Sequence, residues 1–292
     1  MPRTRANGLI LEYETFGESS QPAVLLIMGL GAQLISWGTD FCQAIADNGF
    51  LVIRFDNRDV GLSTWLDDAG SHDLDEIVGG QVAPFYSFHD MAADAAGLLD
   101  SMGIAAAHIV GASMGGMIAQ TFALDHPTKT MSLTSIMSST GDRAVGQPTA
   151  AALDALLAAA PTSRDEAIEG GVAFARVVSS PGFAFDEARI RREVAADYDR
   201  AFHPAGVLRQ GVALVTQSDR TAALATLRVP TLVIHGDQDP LVNPSGGRAT
   251  AAAVPGAVLE IVAGMGHDLP EALQDRFVEL LVRHFVAASD TP

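Results

Sequence analysis

The sequence predicts a doubly wound, mainly parallel α/β sheet with a block of helices inserted late in the chain. Three observations predict it. Short continuous apolar runs recur at 23–28, 51–55, 105–110, 131–137 and 231–235 with helical stretches between them, the pattern of strands covered on both faces by crossover helices. From about residue 138 to 225 the strand pattern vanishes and alanine-rich amphipathic segments replace it. Finally, Val110-Gly111-Ala112-Ser113-Met114-Gly115-Gly116-Met117 sets a serine between glycines at a strand-to-helix corner, the G-x-S-x-G elbow.

In chain order, residues 9–16 alternate around Leu9, Leu11, Tyr13 and Thr15 and stop at Gly17, as an edge strand or hairpin arm does. The buried run 23–28 ends in Gly29-Leu30-Gly31-Ala32; a helix at about 35–48, then Gly49 and the run 51–55, complete a βαβ unit. Cys42, inside that helix, reads as core filler. The polar loop Asp56-Asn57-Arg58-Asp59-Val60-Gly61-Leu62-Ser63 leaves the end of its strand and continues to about residue 86. A helix at about 88–102, with Met91, Ala95, Leu98, Leu99 and Met102 on one face, delivers the chain to the elbow strand. Met117 to Ala123 reads as the elbow helix, and 131–137 as the next strand after the Pro127 stop. Helical segments at 150–160, 163–178, 185–200 and 204–218, punctuated by Pro148, Pro161, Pro181 and Pro204, form the insertion. An insertion of this size reads as a lid over one end of the sheet. Strands at 231–235 and 257–262, a helix near 246–253 between them and an amphipathic helix at about 270–286 close the chain. The expected division is a core of 1–138 and 226–292 and a helical cap of 139–225.

Composition narrows the class. At 292 residues, 48% hydrophobic and with a mean hydropathy of +0.22, the chain has ample material for a core and is not disordered. A formal charge of −17 repels phosphates, which disfavours nucleic acid and anionic membranes as partners. The single cysteine excludes an intrachain disulfide and fits a reducing, cytoplasmic compartment. Arg3 and Arg5 have no apolar stretch behind them, so no signal peptide is read, and no run reaches the roughly 18–20 apolar residues of a membrane span. With no C-x-x-C, H-E-x-x-H or internal repeat, neither metal nor cofactor is expected. The expected partner is a small molecule, and a homodimer stays open.

The elbow needs glycine on both sides of Ser113 because the turn is too tight for side chains two residues away. It lifts the hydroxyl clear of the sheet and aims the Met114 N–H toward an oxyanion. A hydroxyl needs a base, and His267, in the loop Gly264-Met265-Gly266-His267-Asp268-Leu269 after the last strand, suits that role among eight histidines. His235 and His108 lie at or within strands; His126, His284, His72, His89 and His203 lie elsewhere on helices, loops and the insertion. The imidazole needs a carboxylate. Asp239, in Gly236-Asp237-Gln238-Asp239-Pro240, is placed to turn back toward His267, with Asp237 and Asp142 as alternatives and Asp237 the expected Asx-type turn former. The second oxyanion donor is the N–H of Leu30 in the Gly-rich loop after 23–28.

Together, GASMGG (111–116), DNRDVGLS (56–63), HGDQDP (235–240) and GMGH (264–267) make the chain resemble the α/β-hydrolase superfamily over nearly its whole length. Through MGLG (28–31), RFDNRDVG (54–61) and VAGMGH (262–267) it is most similar to aclacinomycin methylesterase-like capped hydrolases. The resemblance implies an α/β-hydrolase fold with a helical cap inserted after the sixth strand, and a serine carboxylesterase acting on a small ester. It implies Ser113 as nucleophile, His267 as base, Asp239 as acid, and the Leu30 and Met114 amides as the oxyanion hole. Two departures stand out: Met28 replaces a common histidine that braces its loop, and Asp59 stands where many members have glycine. Rival readings on the same triad are a prolyl-type aminopeptidase, with Glu187, Glu193 or Asp197 holding an α-ammonium, and a cofactor-free perhydrolase or C–C bond hydrolase. A non-catalytic ligand receptor is the rival from another class.

Overall fold

Asn7 and Gly8, both at positive φ (46° and 81°), turn the chain between strands β1 (Arg3–Ala6) and β2 (Leu9–Phe16). Asn-Gly is a strong hairpin signal, yet β1 is a strand the sequence reading did not assign. The computed structural model of the protein describes residues 1–73, 76–77 and 82–289. The hairpin starts an eight-stranded sheet with β3 (Ala23–Ile27), β4 (Leu51–Phe55), β5 (Ala107–Ala112), β6 (Thr130–Ile136), β7 (Thr231–Gly236) and β8 (Val258–Val262). Its spatial order is β1-β2-β4-β3-β5-β6-β7-β8. The pairs β1–β2 and β2–β4 are antiparallel and the others parallel.

Side chains alternate along each central strand, so one sheet feeds two cores. Leu25, Ile27, Ile53 and Ile109 face α2 (Phe88–Ser101) and α3 (Met114–Asp125). Val24, Leu26, Val52 and Val110 face α1 (Thr39–Ala46) and the C-terminal helix of residues 274–289. α2 begins at a reciprocal capping box between Ser87 and Asp90. Cys42 is fully buried on α1, where burial pushes its thiol up to about 12, only partly offset by Arg54. It is therefore protonated and inert.

Between β6 and β7 come α4 (Ala150–Leu156), α5 (Arg164–Val178), α6 (Glu187–Arg200), α7 (Pro204–Thr216) and α8 (Thr221–Leu224). The side chains of Thr149, Ser163 and Asp186 cap the first three, which sets the helix starts close to where the sequence pattern puts them. α9 (Ser245–Ala253) then links β7 to β8, and α10 (Gln274–Ser289) ends the described chain. No helix among the described residues is long and apolar enough to cross a membrane.

Candidate active site

Ser113 sits between β5 and α3 with φ 57° and ψ −123°, a left-handed conformation costly for any residue with a side chain. Packing enforces it. A Cβ on Gly111 would lie 2.0 Å from the Gly115 carbonyl oxygen, and one on Gly115 would lie 2.1 Å from that of Ile27 on β3. The sequence pattern starts the elbow helix near Met117, whereas α3 begins at Met114. Gly115 and Gly116 are helical here because only glycine lets the helix press against β3 and the end of β6, overriding their poor intrinsic propensity. The Ser113 N–H donates to Ile136 O at 2.9 Å, tying the corner to β6.

His267 lies in the loop after β8. Its Nε2 is 3.0 Å from Ser113 Oγ and its Nδ1 is 2.8 Å from Asp239 Oδ2. The Nδ1 proton belongs with the carboxylate, which leaves Nε2 free to accept from the hydroxyl. Asp239 is 3% exposed. Its Oδ1 accepts the Leu241 and Val242 N–H groups at 2.9 and 2.8 Å. Burial works to raise its carboxyl, but hydrogen bonds from His235 and His267 outweigh that and bring it down to about 2. It stays ionised at neutral pH. The local Asx-type bonds expected of Asp237 are thus made by Asp239. Asp237 crosses instead to the histidine loop, accepting the Gly264 N–H at 2.7 Å. Asp142 bonds locally to the Ala144 N–H and does not join His267. His235 is wedged at the end of β7, with Nε2 2.7 Å from Val242 O.

The loop after β3 passes against the elbow: a Cβ on Gly29 would lie 3.1 Å from Ser113 Cβ. Among the described residues, neither the Leu30 nor the Met114 N–H donates to a protein acceptor. Met28 lacks the ring that would brace this loop, and other groups take over. Asn57 Nδ2 donates to Met28 O at 2.9 Å, and Gln210 Oε1 on α7 accepts the Gly31 N–H at 2.9 Å. Asp59, the second departure, adopts φ 69° and holds a buried bidentate pair with Arg209 of α7, at 2.9 and 2.7 Å. Neither Gln210 nor Arg209 was foreseen. Their only signal was Asp59 itself, a charge where a glycine-like backbone is needed.

The site opens into a cavity of about 1380 Å³ between the sheet edge and the inserted helices, with Met28, Leu30, Met117, Leu156, Phe174 and Val194 in its wall. On α6, Ile190, Glu193, Val194 and Asp197 face it at helical spacing. Of the three acidic residues singled out in the sequence, Glu187 pairs with Arg176 and Arg191, and Glu193 with Arg189. Asp197 alone keeps a buried oxygen, Oδ1, without a hydrogen-bond partner.

The fold is that of the α/β hydrolases. Residues 22–271 match the alpha/beta hydrolase fold family, and the chain belongs to it. Among known proteins it is similar to two rhodomycin D methylesterases. DauP of Streptomyces sp. (strain C5) is 30% identical, covering 94% of this chain and 95% of its own; DnrP of Streptomyces peucetius is 29% identical over the same shares. The meta-cleavage product hydrolase CumD of Pseudomonas fluorescens IP01 has the same fold, with a TM-score of 0.77 at 21% identity over 99% of this chain and 98% of that one.

Proposed function

We propose that this carboxylic ester hydrolase acts through an acyl-enzyme on Ser113, with His267 as base, Asp239 as its carboxylate partner and residues 139–225 as a cap over the substrate. The observation that carries the reading is the unbroken relay from Asp239 Oδ2 through the His267 ring to Ser113 Oγ, at 2.8 and 3.0 Å. His267 takes the Ser113 proton as the oxygen attacks the ester carbonyl. The Leu30 and Met114 N–H groups receive the oxyanion, a contribution of about 3 kcal/mol each. His267 Nε2–H then protonates the leaving alcohol. A water, deprotonated by the same nitrogen, attacks the acyl carbonyl and frees the acid and the serine. Asp239 stays charged throughout and stabilises the imidazolium.

An ester with an apolar acyl or alcohol portion suits a cavity walled by Met28, Leu30, Met117, Leu156 and Phe174. A reducing, cytoplasmic compartment suits the single buried thiol, Cys42. The test is direct. The wild-type protein is expected to label with a fluorophosphonate and to hydrolyse p-nitrophenyl esters, while Ser113→Ala does neither. Full esterase activity in Ser113→Ala would refute the mechanism, and faster turnover of proline p-nitroanilide than of esters would move the reaction to amide cleavage.

A further inference from the structure

The loop bearing His267 leaves β8 at Val262 and holds an imidazole in place without regular secondary structure. From the core side, Asp237 Oδ1 takes the Gly264 N–H at 2.7 Å, and Met265 O accepts the Gln238 N–H at 3.0 Å. From the other side it is gripped by the turn between α5 and α6. Val178 O accepts the His267 N–H at 2.7 Å, and the Gly182 N–H donates to Gly264 O at 2.9 Å. Between them, Ser180 Oγ accepts the Gly266 N–H at 2.8 Å and donates to Asp268 Oδ1.

The two backbones approach so closely that side chains are excluded at their crossing. A Cβ on Gly266 would lie 2.5 Å from Val178 O, and one on Gly182 would lie 2.7 Å from Gly264 Cα. Ser180 and Val178 are each 4% exposed. Asp268 is half-buried, which raises its carboxyl, and the bond from Ser180 offsets part of that rise.

We propose that Ser180, acting with Asp268, is a positioning residue for His267. The turn at 178–182 fixes the residues on both sides of the histidine, so the imidazole meets Ser113 only while that turn of the inserted segment is seated. The inference rests on the triad reading above. Its physical basis is that one hydroxyl donates and accepts at once, clamping residues 266 and 268 together. Alanine at 180 would lose both bonds and leave the Gly266 N–H buried without a partner. The ring, held at both nitrogens by bonds of 2.8 and 3.0 Å, would then move with its loop. Misplacement of a catalytic group by about 1 Å costs about a hundredfold in rate. Substrate entry and assembly of the base are thereby linked, because the segment that covers the cavity also holds the catalytic loop.

The experiment compares Ser180→Ala and Ser180→Thr with wild type on a p-nitrophenyl ester, each also in a His267→Ala background. Ser180→Ala is expected to lower kcat by about tenfold to a hundredfold with KM little changed, and to slow fluorophosphonate labelling in parallel. Ser180→Thr, which keeps the hydroxyl, is expected to recover most of the rate. In the His267→Ala background Ser180→Ala should have no further effect, since its influence passes through the imidazole. A wild-type kcat in Ser180→Ala, or an equal loss with and without His267, would overturn the proposal. Should Ser180→Ala not fold, Asp268→Ala takes its place, and a folded Asp268→Ala with wild-type kcat overturns it equally. Wild-type activity in His267→Ala would instead overturn the triad reading, so the two failures are distinguishable.

Discussion

The sheet and the helices inserted after β6 are held by different forces. Every residue of β3, β4, β5 and β7 is buried, so apolar burial and a continuous hydrogen-bond ladder fix the strand ends that carry Ser113 and Asp239. By contrast, α6 has no buried residue, and α5 has two, Val172 and Val178. These two helices are laced by exposed ion pairs: Arg164 to Asp199 at 2.7 Å, Arg191 to Glu169 at 2.6 Å, and Arg176 to Glu187. Pairs of that kind contribute about 0.2–1 kcal/mol each. α7 stands between the two regimes, because it sends Arg209 and Gln210 into the core while the rest of the insertion lies over it. On the proposed reading the nucleophile and its carboxylate partner are therefore mounted on the buried sheet, and part of the cavity wall on helices held by exposed ion pairs.

The sharpest way to break this contrast is at the sheet side of the site. Asp239→Asn is expected to keep the fold, since its side-chain oxygen still accepts the Leu241 and Val242 N–H groups. It would turn the His267 tautomer, and kcat should fall by about 10⁴, read by steady-state ester hydrolysis beside an unchanged circular dichroism spectrum. A loss of less than tenfold would show that the relay does not govern the rate.

The next effect lies at the junction. Asp59 and Arg209 are 0% and 1% exposed, so Arg209→Ala leaves a carboxylate buried without its countercharge. The expected cost is about 3–5 kcal/mol in unfolding free energy, measured by urea denaturation. Asp59→Gly with Arg209→Met removes both charges and supplies the residue that φ 69° favours, and should recover most of that loss. Equal destabilisation in the double variant would mean that α7 is seated by something other than this pair.

The same division explains what was legible in the sequence. Buried strands and the elbow announce themselves locally: the apolar runs, the glycines around Ser113 and the loops after β7 and β8 needed no knowledge of distant residues. Leu30, Met114, Asp239 and His267 fell where strand ends converge, because a parallel sheet brings every such end to one edge. The braces were illegible for the opposite reason. Gln210 and Gly31, Asp59 and Arg209, and Asp237 and Gly264 are far apart in sequence and meet only once α7 and the β8 loop are packed. β1 was missed differently: four residues alternating arginine with small side chains carry no apolar signal, and only the Asn7-Gly8 turn marks them.

The smallest expected effect tests the inserted helices. Burial pushes the Asp197 carboxyl up to about 6 from an ordinary 3.8; Arg200 opposes the rise, while Asp56 and Glu193 add to it. The folded chain thus holds a proton that the unfolded chain releases at lower pH. Stability falls as pH rises through the window from 3.8 to about 6, and the loss is complete above it. The penalty at neutral pH is at most about 3 kcal/mol. Asp197→Asn cannot ionise, so it should raise Tm at neutral pH by up to that equivalent and lose its advantage below the window, as thermal melts across pH would report. A destabilising charge is tolerable on α6 because that helix contributes little to the core and its cavity face is free to carry polar groups. A stabilisation independent of pH would trace the gain to packing instead, and would place α6 under the same apolar control as the sheet.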